Sequence, residues 1–428
     1  MPSKRPQDKP RGVGRRLLPV AVVVALLLLL AGWYRARETA PPAAPPPPGA
    51  AATRPLFGNV DAGAAALPAA APLRRQLVER YQLAERTLCS YEQASQYPAG
   101  SRPMAQNADQ AYPNQPVTES NPMRLDGGGT DPQVLLQTAQ SRVHLAAGES
   151  VAFSLHAVDQ DGATLPLVIT RAVAAGISYG ATRSNAQVAL AFGDDGTGAD
   201  PVAGDGAFAG VLAPAQTGLA AFDGTIRTQV AYSVNGKSGH VAFDVIYSPV
   251  VPAVWSGAVR EARADGSLDF YLKADVRVAG RYIVSGRVDD ARGVPFALLT
   301  FNDLLPAGPN EVRLRAFGKL LRDGAPALPL TLRDVDGYLL RENADPDRAM
   351  MPRLEGSVAT SGRYRLDSFS DAPYAGEERS RYLAEFGKDL AQARAALLRD
   401  DPQALLPASA CSPVAAPAAP QTGASPAR

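Results

Sequence analysis

Residues 225–247 read TIRTQVAYSVNGKSGHVAFDVIY, two alternating runs joined at Val234-Asn235-Gly236-Lys237. Alternation with period two puts one set of side chains on a buried face and the other toward solvent. Asn-Gly between such runs signals a type I′ turn, because both central residues need positive φ. The stretch therefore predicts an antiparallel hairpin with strands at 225–234 and 239–247.

The same period recurs on both sides. Val151, Phe153 and Leu155 alternate with smaller or polar residues, and so do Val188, Leu190 and Phe192. Further runs are SLDFYLKADV (267–276), GRYIVSGRV (280–288) and NEVRLRAF (310–317), separated by Gly, Asn, Asp or Pro clusters. About a dozen short strands with turn signals every 8–12 residues, roughly, point to antiparallel sandwiches and not to a parallel α/β sheet. The expected fold class is mainly β, with two Ig-like antiparallel sandwiches in series at 133–250 and 251–345. Their boundary is the stretch Ser248-Pro249-Val250-Val251-Pro252, and Trp255 is expected to pack at the junction.

Flanking the strands the period lengthens. In 73–132, read as a helix followed by an irregular segment, Leu73, Leu77, Tyr81, Ala84, Leu88 and Tyr91 recur every three or four residues until Pro98 and Gly100. In 346–401 a matching helix is predicted at 376–399, with Tyr382, Phe386, Leu390, Ala393 and Leu397 as its stripe. Glu377 and Glu378 sit in its first turn, where the helix dipole favours acids. Two flanking amphipathic helices must each cover something, either a shared surface or a sheet face.

The chain has 428 residues, 43 Lys+Arg against 42 Asp+Glu, three His and two Cys. That balance creates no global field favouring nucleic acid, and no basic-aromatic stripe suggests it either. Two Cys exclude a disulfide-dense scaffold and a multi-thiolate zinc module. Residues 17–34, LLPVAVVVALLLLLAGWY, form an uncharged apolar run near the lower length limit for a membrane helix. Lys4, Arg5, Lys9, Arg11, Arg15 and Arg16 make 1–16 a cytoplasmic basic segment by the positive-inside bias. Bulky Trp33 and Tyr34 followed by Arg35 suit signal cleavage poorly, so an uncleaved single-pass anchor is expected. In a bacterial cell this is an inner-membrane protein with its bulk in the periplasm. Residues 35–72 are a Pro/Ala-rich linker containing Pro45 to Pro48, able to hold the next domain about 100 Å away when extended. The tail at 402–428 is Ala/Pro-rich and expected to be disordered.

The stretch Asp194-Asp195-Gly196-Thr197-Gly198-Ala199-Asp200-Pro201-Val202-Ala203-Gly204-Asp205-Gly206 carries the most specific local chemistry. Asp194, Asp195, Asp200 and Asp205, spaced by glycines, could wrap calcium, which takes six to eight oxygens, roughly. The spacing is not that of an EF-hand, and the alternative is a strand connection in which the aspartates cap turns. Asp159, Asp161 and Gly162, and Asp334, Asp336 and Gly337, make smaller clusters that read as turns. Cys89 and Cys411 are the only thiols, and in an oxidising compartment they are expected to join as a disulfide. Catalytic signatures are missing. His144, His156 and His240 are scattered, with no His-x-x-x-His pair, no Gly-x-Ser-x-Gly elbow and no phosphate loop. Glu377, Glu378 and Glu385 read as the solvated face of a helix.

The run Asp195 to Phe208, of form Asp-Gly-x-x-x-Asp-x-x-x-Gly-Asp-Gly-x-Phe, resembles the signature of the bacterial choice-of-anchor X domains. Val278-Ala279-Gly280-Arg281-Tyr282-Ile283-Val284-Ser285-Gly286-Arg287-Val288 and Pro306-Ala307-Gly308-Pro309-Asn310-Glu311-Val312 resemble that family's second half. The resemblance implies an Ig-like module of surface and envelope proteins, held on an anchor, and implies no reaction. This chain departs from it by anchoring at its N-terminus. The expectation is a non-enzymatic, membrane-anchored binding or scaffolding protein whose partner is another envelope protein. The alternatives are a carboxylate-dependent hydrolase of envelope polymers and a calcium-binding adhesive module.

Overall fold

The computed structural model describes residues 70–177, 186–403, 405, 406 and 409. The basic segment 1–16, the apolar run 17–34, linker residues 35–69, Cys411 and most of the tail lie outside them. No helix among the described residues is long and apolar enough to cross a membrane.

The hairpin at 225–247 is present. β10 (Gly224–Val234) and β11 (Lys237–Tyr247) pair with Val234 opposite Lys237. Asn235 and Gly236 between them have φ of 51° and 76°, as a type I′ turn requires. Ile226, Thr228, Val230, Tyr232 and Val234 are buried on one face, and Arg227 and Gln229 stand on the other. The sheet runs β4 (His144–Leu145), β11, β10, β6 (Leu167–Gly176), β7 (Gln187–Ala189), with only β4 parallel to its neighbour. Across the core lies an antiparallel sheet of β2 (Val117–Arg124), β3 (Thr130–Gln140), β5 (Val151–Val158), β9 (Ala207–Leu212) and β8 (Phe192–Gly193). Phe153 and Leu155 meet Val230, Phe243 and Val245 between the sheets, with the Phe153 and Phe243 rings 4.7 Å apart.

A second sandwich follows. Its smaller sheet is β12 (Ala253–Ala264), β13 (Ser267–Val276) and β16 (Gly308–Ala316). Its larger sheet runs β1 (Ser101–Pro103), β15 (Pro295–Leu305), β14 (Gly280–Asp289), β17 (Thr331–Leu340), β18 (Arg348–Met350), and β19 (Leu354–Thr360) also pairs with β17. Phe270, Leu272, Val312 and Leu314 pack against Tyr282, Val284, Val288 and Leu332. The short helix α2 (Gly318–Gly324) adds Leu320 and Leu321 to the same core. The chain is thus mainly β, built of antiparallel sheets packed face to face.

The sandwiches recruit more chain than the periodicity marks out. The segment 73–132, expected to be irregular after its helix, supplies β1, β2 and the start of β3. β2 is an edge strand in which only Met123 is buried, so it shows no alternation to read. The segment 346–401 supplies β18 and β19 ahead of its helix. The run at Val188, Leu190 and Phe192 is two strands, not one: β7 pairs with β6 in one sheet, and β8 with β9 in the facing sheet. Trp255 belongs to the second sandwich, where it packs on that core and donates from Nε1 to the Pro352 carbonyl at 2.8 Å.

The flanking helices α1 (Ala70–Ala94) and α3 (Glu377–Asp400) cover each other, and neither makes an extended contact with a strand. Tyr81, Ala393 and Leu397 form their buried seam. Tyr91 meets the Tyr382 and Phe386 rings edge-on at 5.6 and 5.3 Å. Arg74 near the start of α1 pairs with Asp401 just after α3 at 2.9 Å, and Arg379 near the start of α3 reaches Ser95 just after α1. The two helices are therefore antiparallel. Their inner ends are fixed by Tyr97, which enters the second core and donates to Asp323, and by Tyr374 N–H donating to the Gln96 carbonyl.

Residues 248–252 connect the sandwiches, and Tyr282 Oη lies 3.0 and 2.6 Å from the Pro252 and Val278 carbonyls. Charged pairs span the gap. Arg142 pairs with Glu355 at 2.5 Å and Arg353 with Glu149 at 3.0 Å, while Arg142 and Glu149 are themselves paired at 3.0 Å within the first sandwich. Arg353 also donates to the His144 carbonyl, and Arg341 holds Asp223 through both carboxylate oxygens at 2.6 and 3.2 Å.

Candidate functional site

The aspartate-rich loop joins β8 to β9 in the first sandwich. Its backbone turns repeatedly through the left-handed region that glycine tolerates. At Gly196, φ is 73° and a Cβ would meet Ala203 N at 3.0 Å; at Gly206, φ is 85° and a Cβ would strike Thr164 Cγ2 at 2.6 Å. These turns fold the carboxylates inward. Asp194, Asp200 and Asp205 each bring one oxygen to within 4.8 Å of the others, with Asp200 buried and Asp205 exposed.

Each carboxylate also holds the loop. Asp194 accepts from Gly204, Asp205 and Gly206 N–H at 2.7, 3.2 and 3.0 Å. Asp200 accepts from Gly196 at 2.6 Å and Val202 at 3.2 Å, and Asp205 accepts from Ala207 at 2.9 Å. Asp195 stands apart from the trio and accepts from Thr197 N–H and Oγ1 at 3.0 and 2.8 Å. That exposed carboxyl is held below its usual range by the Thr197 side-chain bond first. Three of the four predicted ligands therefore converge, while the fourth caps its own turn. Three carboxylate oxygens supply about half of what a calcium ion takes.

Of the other small aspartate clusters, Asp159, Asp161 and Gly162 form a turn as expected, whereas Asp334, Asp336 and Gly337 lie inside β17 and not in a turn, with Asp334 at φ 46° where the pairing of that strand slips. Asp159 accepts from Asp161 and Ala163 N–H. Asp336 pairs with the buried Arg287, and Asp334 pairs with Arg333 and accepts from Gly356 N–H. The histidines stay scattered in their bonding: His156 contacts Thr164 Oγ1, and exposed His240 contacts Asp126 Oδ1, each at 3.0 Å. Cys89 is not a free thiol, and Cys411, its expected partner, lies outside the described residues.

One feature went unread in the sequence. In the second sandwich the outer edge of β12 faces the outer edge of β19 across a groove of about 720 Å³, with Trp255, Val259, Leu354, Val358 and Ala359 among its walls. Among the described residues β12 pairs only with β13, and its ladder is interrupted between Ser256 and Arg260, with Gly257 at φ 66°. A bulge at an edge re-aims the strand and leaves backbone groups unpaired. Sequence reasoning missed the groove because two distant segments, 253–264 and 354–360, form it. The Gly257 bulge inside an otherwise β-patterned run was the available clue.

No family model matches the chain, and neither does any curated protein. Among solved structures it is similar to a DUF4785 family protein of Legionella pneumophila subsp. pneumophila str. Philadelphia 1. That match has 14% identity over 53% of this chain and 57% of the other, at a TM-score of 0.35. It is also similar to the Yersinia pseudotuberculosis adhesin InvE, with 11% identity over 50% of this chain and 57% of that one, at a TM-score of 0.15. A third likeness is to dimeric latent PorU of Porphyromonas gingivalis, with 13% identity over 56% of this chain and 20% of that one, at a TM-score of 0.16. Likenesses this low carry no functional inference.

Proposed function

We propose that this chain is a non-enzymatic binding or scaffolding module of the bacterial cell envelope, related to the choice-of-anchor X domains. It is held in the inner membrane by residues 17–34, with its N-terminus cytoplasmic, its bulk periplasmic and Cys89 bridged to Cys411. The observation that carries the reading is the open edge of β12 beside its groove. There an extended segment of another envelope protein would add a strand, main-chain hydrogen bonds giving affinity and the groove side chains giving selectivity.

A photo-crosslinking residue at Val259, in intact cells, tests this. The expected result is one dominant crosslinked protein, lost when Ala258→Pro blunts the edge. Crosslinks spread evenly over many proteins, or unchanged by the proline, would overturn strand addition. Separately, removing residues 1–34 and exporting the remainder should abolish the cellular effect if tethering matters.

A calcium-binding adhesive module is the second reading, favoured by the convergence of Asp194, Asp200 and Asp205. Calorimetry of the whole protein should give heat at millimolar calcium that Asp200→Ala removes; no heat would end this reading. The hydrolase reading requires a carboxyl held above its usual range. Among the described residues, Asp131, Asp195, Asp290, Asp347 and Asp367 are shifted and all lie below it, so that reading has no observation in its favour.

A further inference from the structure

We propose that the cleft between β2 and β11 in the first sandwich binds a terminal carboxylate, the C-terminus of an extended peptide, through Arg124 and Tyr232. The site is separate from the β12–β19 groove and from the aspartate loop.

Two strand edges form it. Among the described residues β2 pairs only with β3, and β11 from His240 to Val245 pairs only with β10. The edges meet at one end, where Leu125 bridges Gly239 and Asp126 N–H donates to the Ser238 carbonyl at 3.2 Å. Beyond that bridge they part, and the cleft between them holds about 310 Å³. Ligand sites start at about 300 Å³, so this one suits the end of a chain and not a large cofactor. A chain lying along β11 is stopped at the bridge, and its last residue falls there.

Tyr232 reaches that closed end across its neighbouring strand. A Cβ on Gly239 would come within 3.1 Å of Tyr232 Cζ and 2.4 Å of the Arg124 carbonyl oxygen. Glycine there lets the ring cross toward β2, where it lines the cleft. The side chain is 1% exposed, and its hydroxyl has no hydrogen-bond partner among the described residues. A buried hydroxyl left unpaired in this way calls for a physical reason. Burial first, and then the Asp126 charge, push its pKa up to about 12 against the opposing pull of Arg124, so it stays protonated and can donate.

The other charged groups around the cleft are already engaged. Asn121 Nδ2 donates to Glu119 at 3.0 Å, His240 Nδ1 lies 3.0 Å from Asp126 Oδ1, and Arg227 holds both oxygens of Asp244 at 2.7 and 2.6 Å. Two groups remain. The exposed Arg124 guanidinium has no ion pair or hydrogen bond among the described residues, and its charge acts on the Tyr232 hydroxyl. Both are donors, and one is a cation. An anion with two acceptor oxygens satisfies them together, and the guanidinium fork matches a carboxylate. The open β11 edge supplies main-chain bonds to the residues before that carboxylate.

Calorimetry on the full-length protein in detergent, at low salt, tests this with N-acetyl-dialanine, its C-terminal amide and acetate. The free acid is expected to bind about tenfold more tightly than the amide or acetate. Arg124→Gln and Tyr232→Phe should each weaken it about tenfold. Arg171→Gln changes an exposed arginine of β6 outside the cleft and should leave binding unaltered. Tyr232→Phe should also melt no lower than the wild type, because the hydroxyl it removes bonds nothing in the free protein. A lower melting temperature would mean that the hydroxyl is already engaged, and would overturn its role. Equal binding of acid and amide would overturn carboxylate recognition, and equal binding of acetate would overturn the chain end. An equal loss in Arg171→Gln would reduce the effect to surface charge, and no heat from any of the three at about 10 mM would end the proposal.

Discussion

Arg287 shows how a single residue ties distant segments together. It is 2% exposed, and it donates to the Gln110 and Asp334 carbonyls at 3.0 and 2.9 Å and to the Asp336 carboxylate. It thereby holds residues 108–110, a short turn well before the second sandwich in sequence, on the face of β14. Arg287→Ala leaves the partly exposed Asp336 carboxylate and the two carbonyls without their donor, and is expected to cost about 1–3 kcal/mol in urea unfolding. His144 gives the corresponding expectation for pH. Burial first, and then the nearby Arg348 and Arg353 charges, hold its imidazole below the usual pKa of 6.5, against the opposing pull of Asp347. The unfolded state therefore binds the proton more readily. The stability this residue contributes is present above about pH 6.5 and is lost as pH falls through the folded value. Melting temperatures from pH 8 to pH 5 should fall less steeply in His144→Gln than in the wild type. Neither role is legible in the sequence. Alternation places Arg287 on the face of its run opposite Tyr282, Val284 and Val288, so it reads as outward, and its acceptors come from 110 and 334–336, which only the fold brings to it.

Among the elements, the β10–β11 hairpin is the one whose local signal is complete. Alternation, turn residues and register agree, and the positive φ of Gly236 follows from the Asn-Gly dipeptide itself. Gly236→Val puts a β-branched residue in that conformation and should lower stability by about 1–2 kcal/mol, measured as a shift in the urea midpoint. Edge elements behave differently. β2 and β19 bury few side chains, so their pairing is set by the neighbouring strand and leaves little periodicity behind. The helices α1 and α3 were legible as amphipathic stripes, yet the stripe alone did not say what it covers. In the aspartate loop, composition marked four carboxylates, and backbone geometry separated Asp195 from the other three.

Across the whole molecule, the two sandwiches are joined by a short connection and by charge. The pairs of Arg142 with Glu355, of Arg353 with Glu149, and of Arg341 with Asp223 are partly exposed, so salt should weaken them. Small-angle scattering is expected to show a larger radius of gyration at about 1 M salt, where the Debye length falls to about 3 Å, than at low salt. Arg142→Ala with Arg353→Ala should give the larger radius already at low salt. An unchanged radius in that double variant would mean that the Arg341–Asp223 pair, Tyr282 and the 248–252 connection suffice to fix the arrangement.

The sequence by itself determined the β character, the order of the two sandwiches, the hairpin at 225–247 and the two flanking helices. Each of these rests on local periodicity and turn chemistry, which neighbouring residues carry between them. The tertiary structure decided which strands close each sheet, that the helices cover each other, that three aspartates converge, and that β12 and β19 leave a groove. Those features depend on contacts between residues far apart in the chain, and no local pattern encodes a contact whose two halves are separated by a hundred residues, roughly, of other structure.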